Sequence, residues 1–210
     1  MESVSKAVNR EKNVFKTTNL VRMGLLSALA VVLMKLEFVV PGFPPFLKMD
    51  ISDLPAVIGA FIIGPVGGVI IQLIKVLLYT VSGSETFGIG PLANFIVGAA
   101  YIFPLGLIYK YKRNILGFVF GCVVGTITMA IVSAFMNYFV MIPFYSVAFG
   151  LSIDAIVEMC AKINSNVKDL KTLIIFSILP FNILKAVIIS SVSIVLYTPL
   201  RLLFNRISNL

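Results

Sequence analysis

From Asn114 to Ile153 the chain reads NILGFVFGCVVGTITMAIVSAFMNYFVMIPFYSVAFGLSI, with no Asp, Glu, Lys or Arg. An uncharged apolar run of this length exceeds the roughly 17–25 residues that one bilayer crossing needs. Pro143 is therefore expected to close one helix and open an interfacial segment, since a proline removes a helix hydrogen bond. The same reading extends outward. Leu20–Phe38 is a span interrupted by Arg22, Lys35 and Glu37; Pro91–Tyr109 is closed by Lys110, Lys112 and Arg113; and Leu173–Leu200 is followed by Arg201 and Arg206. Two shorter helices lie between them. One is opened by Asp53 as a cap and stopped at Gly64-Pro65, and the other is Val66–Val81, leading into a Gly- and Ser-rich connection, Ser82–Gly90. Leu151–Ile163 carries Asp154, Glu158 and Lys162 on one stripe and reads as a short amphipathic surface helix.

Composition agrees. The 210 residues are 59% hydrophobic and 12% charged, with a mean hydropathy of +1.04. Too little polar surface is left for a water-soluble enzyme. The fold class is all-α: a polytopic membrane protein, a bundle of about six transmembrane helices. Residues 20–204 form the membrane domain, between a basic tail over 1–19 and a short C-terminal tail over 205–210. The sequence has no His, and Cys122 and Cys160 form no Cys-x-x-Cys pair, so metal and thiol-redox chemistry find no support. No Gly-Lys dipeptide occurs, so no phosphate-binding loop exists. Any ATP-driven work falls to another chain.

The net charge of +8 raises nucleic acid as a partner, but the cations flank apolar spans and set topology instead. Lys6, Arg10, Lys12, Lys16 and Arg22 share a side with Lys110, Lys112, Arg113, Arg201 and Arg206 if the chain crosses six times. The other side carries Glu37, Asp50, Asp53, Glu85, Asp154, Glu158 and Asp169 among its lysines. Both termini are expected in the cytoplasm and the acidic, loop-rich face outside.

Polar residues at membrane depth are costly and point to function. Asn182 and Lys185, in Pro180-Phe181-Asn182-Ile183-Leu184-Lys185, share a helix face at i,i+3 spacing. Lys185 lies roughly 18 Å along its span by helix rise, far for an ammonium to snorkel. Asn94 and Asn137 are neutral donor–acceptors in their own helices, where helix–helix hydrogen bonding competes with ligand contact. Lys75 is open between a ligand, a carbonyl and a distant acid. The loop Val39–Ser52 contains Pro41, Pro44, Pro45, Phe46 and Leu47. A lid over a buried pocket accounts for so apolar a loop, and so does simple packing on the bundle. Asn amides, one Lys, no Arg cluster, and 17 Phe with seven Tyr suit a flat, mainly uncharged ligand with hydrogen-bonding edges.

These motifs resemble a known family. Phe46-Leu47-Lys48-Met49-Asp50-Ile51-Ser52-Asp53-Leu54-Pro55, Gly64-Pro65, Gly88-Ile89-Gly90-Pro91-Leu92-Ala93-Asn94-Phe95, Asn137-Tyr138-Phe139 and the Pro180–Lys185 segment look like the RibU family. Its members are riboflavin-specific S components of energy-coupling factor (ECF) vitamin transporters. The similarity spans roughly residues 20 to 200. It implies a six-helix bacterial cell-membrane protein that captures extracellular riboflavin beneath a lid loop between helices one and two. Its partners would be a transmembrane coupling subunit and two cytoplasmic ATPase subunits. Riboflavin is then transported ligand, and no cofactor is implied. By the same resemblance Asn137, Asn182 and Lys185 bond polar edges of the flavin, while Asn94 and the strip Phe46, Leu47, Lys48 and Met49 line the pocket. Gly24-x-x-x-Ala28 fits the family's small-residue stripe for docking the coupling subunit, although Val32 replaces its continuation. Gly90-Pro91 stands where an acidic residue is expected after the glycine. Another S component, for a different vitamin or small flat metabolite, would keep the fold and change the pocket.

Overall fold

The computed structural model describes residues 14–83 and 88–208. Most of the basic tail expected over 1–19, Glu85 in the Ser82–Gly90 connection, and the last two residues lie outside it. The side chains of Arg201 and Arg206 are likewise not described. Among the described residues, helix α1 is Thr17–Lys35, α2 is Leu54–Ile62, α3 is Pro65–Val81, and α4 is Ile89–Tyr111. Helix α5 runs over Ile115–Phe149, α6 is Ile153–Ala161, and α7 occupies residues 170–208. Four of these, α1, α4, α5 and α7, are long and apolar enough to cross a membrane. Helix α3 is shorter, and the 9 residues of α2 rise only about 14 Å, half of a hydrocarbon core.

The loop after α1 is tied into a small hairpin. Strand β1, Phe38–Val39, pairs antiparallel with β2, Lys48–Met49, in the register Phe38 to Met49 and Val39 to Lys48. The three prolines fall at its tip, where no ladder hydrogen bond is lost. Directly after the hairpin, Asp50 begins the approach to α2.

Helix α1 buries only Met23, Ser27, Ala30 and Met34, a stripe at helical spacing that packs on α2 and α3. Gly24 and Ala28 sit on the exposed side, and a Cβ at Gly24 would meet nothing within 4 Å. Helix α2 ends because Gly64 adopts φ +119°, a left-handed conformation open to glycine, and Pro65 starts the next helix at its first position. Helices α4 and α5 pack most extensively. Gly117, Gly121 and Gly125 recur every four residues on α5, and a Cβ at Gly121 or Gly125 would stand 3.0 Å from the Leu105 carbonyl or 2.6 Å from the Tyr101 carbonyl. The glycines thus let the two backbones touch.

Helix α5 does not stop at Pro143. Its α-helical turns give way to a π-turn at Asn137–Met141, where the Ile142 N–H bonds the Asn137 carbonyl, and helix resumes to Phe149. The wider π-turn moves carbonyls away from the proline ring and absorbs the missing N–H, so the rod continues. It ends instead at Gly150, with φ +65°. Helix α7 repeats the device. A π-turn at Ile174–Ile178 precedes Leu179-Pro180, and the helix then runs on to Ser208. The two π-turns touch. Helix α6 is the expected amphipathic segment: Ser152 caps it, Ile156, Val157 and Cys160 are buried, and Asp154, Glu158 and Lys162 face out.

Candidate ligand-binding site

Asp53 was expected to cap α2, but its side chain makes no cap hydrogen bond. The carboxylate turns into the bundle, where Lys75 Nζ donates to its Oδ1 at 2.8 Å and Gln72 Nε2 donates to the same oxygen at 2.8 Å. A buried ammonium outcompetes backbone N–H groups for a carboxylate because unpaired burial of either charge is far costlier than an uncapped turn. Lys75 is fully buried and also donates to Ser52 Oγ at 2.9 Å and to Asn94 Oδ1 at 2.9 Å. Lys75 therefore meets a distant acid, one of the alternatives open to it in sequence. Gln72 reaches Asn94 as well. Gly98 makes this possible: a Cβ there would fall 2.0 Å from Gln72 Nε2 and 3.2 Å from Asp53 Oδ1.

The network extends to α7. Lys185 Nζ donates to Asp50 Oδ2 at 2.8 Å and stands 3.4 Å from Asp53 Oδ2. Asp50 is held in turn by the Ser52 backbone N–H at 2.8 Å and by the Ser52 hydroxyl. Two carboxylates and two ammoniums, all buried, are joined through bonds that satisfy most of their polar atoms. That is the condition under which buried ions persist. The cluster links the end of the hairpin to α2, α3, α4 and α7.

Beside it lies an apolar layer. Leu47 and Met49 pack against Ile174, Ile178 and Phe181, with Phe43, Phe46 and Tyr138 around them. Phe43 meets Phe181 edge-on at 5.4 Å, and Phe46 meets Tyr145 at 6.1 Å. The loop therefore packs its apolar side chains onto the two π-turns. Lys48 points away, with its ammonium 2.9 Å from Glu37.

Asn182 is buried one turn before Lys185, as the i,i+3 spacing requires, and its amide nitrogen donates to the Ile178 carbonyl at 2.9 Å. Asn137 does the same to Ser133 at 2.9 Å. Each amide thus bonds a carbonyl four residues back, where its own helix opens into a π-turn. Asn94 belongs to the ionic cluster. Sequence reasoning missed Asp50, Ser52, Asp53 and Gln72 as partners. One signal was present: Gln72 and Lys75 lie three apart in an otherwise apolar helix, a pair that needs a polar counterpart.

A cavity of about 140 Å³ opens at the opposite end of α1, α2 and α4, lined by Val14, Asn19, Phe61, Gly64, Tyr109 and Arg113 among others. It is smaller than the roughly 300 Å³ at which drug-sized ligand sites begin, and it lies far from the buried ions.

Comparison with known proteins accords with this architecture. Residues 18–197 match the family model described as the ECF transporter, substrate-specific component. The riboflavin transporter RibU of Staphylococcus aureus (strain TCH60) is 39% identical over 94% of this chain and 98% of its own length. The riboflavin transporter FmnP of Bacillus subtilis (strain 168) is 35% identical over 89% and 93%. A solved structure described as the S component of a bacterial ECF transporter superposes with a TM-score of 0.67 at 35% identity, covering 90% of this chain and 95% of that one. A bundle of apolar helices, a proline-stiffened hairpin packed on two π-turns and a match over nearly the whole length lead to one conclusion: the chain belongs to the ECF transporter substrate-specific component family, a multi-pass membrane subunit of a transporter and not an enzyme.

Proposed function

We propose that this protein is the riboflavin-binding S component of an ECF importer in a bacterial cell membrane. The observation that carries the reading is the near-full-length similarity to two proteins named as riboflavin transporters, at 39% and 35% identity. The site supports it chemically. Aromatic and aliphatic side chains of the 43–49 loop meet the Asn182–Lys185 face, a combination suited to a flat ring system bearing a hydroxylated chain. In this reading Phe46, Leu47 and Met49 cover the rings, Lys48 flanks them, and Asn94, Asn137, Asn182 and Lys185 supply the polar contacts. The hairpin loop is the lid.

The membrane unit is residues 20–204, crossing six times with α2 and α3 as the shorter pair, and both termini are cytoplasmic. A transmembrane coupling subunit docks on the Gly24–Ala28 face of α1, and two ATPase subunits supply the energy. Capture under the lid is followed by tilting of the bundle in the membrane. Few exposed charges along the spans make that motion affordable.

The test is a fluorescence-quench titration of riboflavin with detergent-purified protein stripped of bound flavin. Saturable quenching is expected, weakened about tenfold by Asn137→Ala or Asn182→Ala, as loss of one buried hydrogen bond predicts. Lys185→Ala is a poorer probe, because it strands Asp50 and Asp53 as uncompensated charges. Folded, ligand-free protein that quenches nothing would sink riboflavin and turn the search to other vitamins. Unchanged titrations in both Asn variants would keep riboflavin and move the site.

A further inference from the structure

Among the described residues, the buried ionisable side chains of the Asp, Glu, Lys and Arg types are Asp50, Asp53, Lys75 and Lys185. They form one cluster with equal numbers of each sign. Lys75 lies on the far side of Asp53 from α7, enclosed by Ser52 and Asn94. Lys185 lies on the near side, one turn from Asn182, and its ammonium is spanned by Asp50 at 2.8 Å and Asp53 at 3.4 Å. An ammonium has three donors, so Lys185 keeps hydrogen-bonding capacity toward a ligand after both carboxylates are served. What it does not keep is net charge.

A buried lysine facing a binding site would ordinarily attract a phosphate or carboxylate. Here the attraction is cancelled at its source. Asp50 is the closer counter-ion, fixed by two bonds from Ser52 at the base of the hairpin, and its negative charge would oppose an anion brought to Lys185. We propose that Asp50 is a specificity-determining residue. It converts Lys185 from an anion receptor into a charge-compensated hydrogen-bond donor, so that the site takes an uncharged flavin and disfavours the same flavin carrying a phosphate. The inference rests on the riboflavin reading and on Lys185 facing the ligand.

Three ligands separate charge from bulk: riboflavin, its 5′-phosphate, and its uncharged 5′-acetate. Each is titrated by flavin fluorescence quenching against the full-length protein in detergent, and against Asp50→Asn, which keeps the shape and an acceptor but removes the charge. The wild type is expected to bind the phosphate at least about tenfold more weakly than the acetate, because a charge-compensated site offers no net positive charge to offset the lost hydration of the phosphate. In Asp50→Asn that gap should close to within about threefold, while riboflavin still binds. Equal binding of phosphate and acetate by the wild type overturns the proposal without any variant, so a misfolded Asp50→Asn would not shelter it. A folded Asp50→Asn with the gap intact overturns it as well. Wild-type protein that binds none of the three overturns the riboflavin reading and this inference together, whereas riboflavin binding with no charge discrimination overturns the inference alone.

Discussion

Lys75 has no solvent exposure, and its ammonium donates to three acceptors, on Ser52, Asp53 and Asn94, which makes it the sharpest test of the cluster as structure. Lys75→Met removes one ammonium and leaves Asp53 leaning on Gln72 and the more distant Lys185. Breaking a buried pair in this way costs about 3–5 kcal/mol, so the variant should unfold well below wild type in a detergent thermal melt. The double variant Lys75→Met/Asp53→Asn should recover part of the loss, and the cycle gives the coupling directly. A Lys75→Met melt that coincides with wild type would mean that the pair carries no stability. The polar face of α7 was legible at this scale because Asn182 and Lys185 obey helical spacing within one segment. Their partners were not legible. The Lys185–Asp50 bond joins residues 135 apart in sequence, and no local pattern encodes a contact between a loop and a helix at that distance.

The elements divide by what their small residues do. On α5, Gly125 is filled by the Tyr101 backbone of α4, while on α1, Gly24 faces open space. Gly125→Ala should force α4 and α5 apart and destabilise by about 1–3 kcal/mol. Gly24→Ala should leave stability equal or slightly raised, since alanine favours helix by about 1 kcal/mol. Thermal melts of the two variants side by side check this, and equal losses would contradict the packing described. Sequence periodicity located α1, α3, α4 and α6 to within a few residues. It failed at Pro143 because a proline normally ends a helix, and the compensating π-turn leaves no mark in hydrophobic spacing: the residues of Asn137–Met141 are as apolar as the turns on either side.

For the molecule as a whole, the charge asymmetry predicts an orientation that can be read in membranes. Lys112 after α4 and Asn166 between α6 and α7 are both exposed and belong to opposite faces in a six-crossing chain. Labelling Lys112→Cys and Asn166→Cys with an impermeant maleimide in right-side-out and inverted vesicles should give reciprocal results, with Asn166→Cys reactive from outside. Background from the native thiols is low because Cys122 and Cys160 are buried and burial pushes the Cys160 thiol up to about 11, away from the reactive thiolate. Labelling of both sites from the same side would overturn the orientation.

The paired π-turns carry a consequence for insertions and deletions. A π-turn is one extra residue held within a helix while the faces before and after it stay aligned. Loss of one residue from 174–178 would therefore return α7 to regular helix and leave Asn182 and Lys185 aimed as before. The same loss a turn later, between Asn182 and Lys185, would swing the lysine about 100° around the axis and tear it from Asp50. Along the two rods that meet under the loop, tolerance to gaps in related chains should thus concentrate at 137–141 and 174–178, the segments whose register already carries a spare residue.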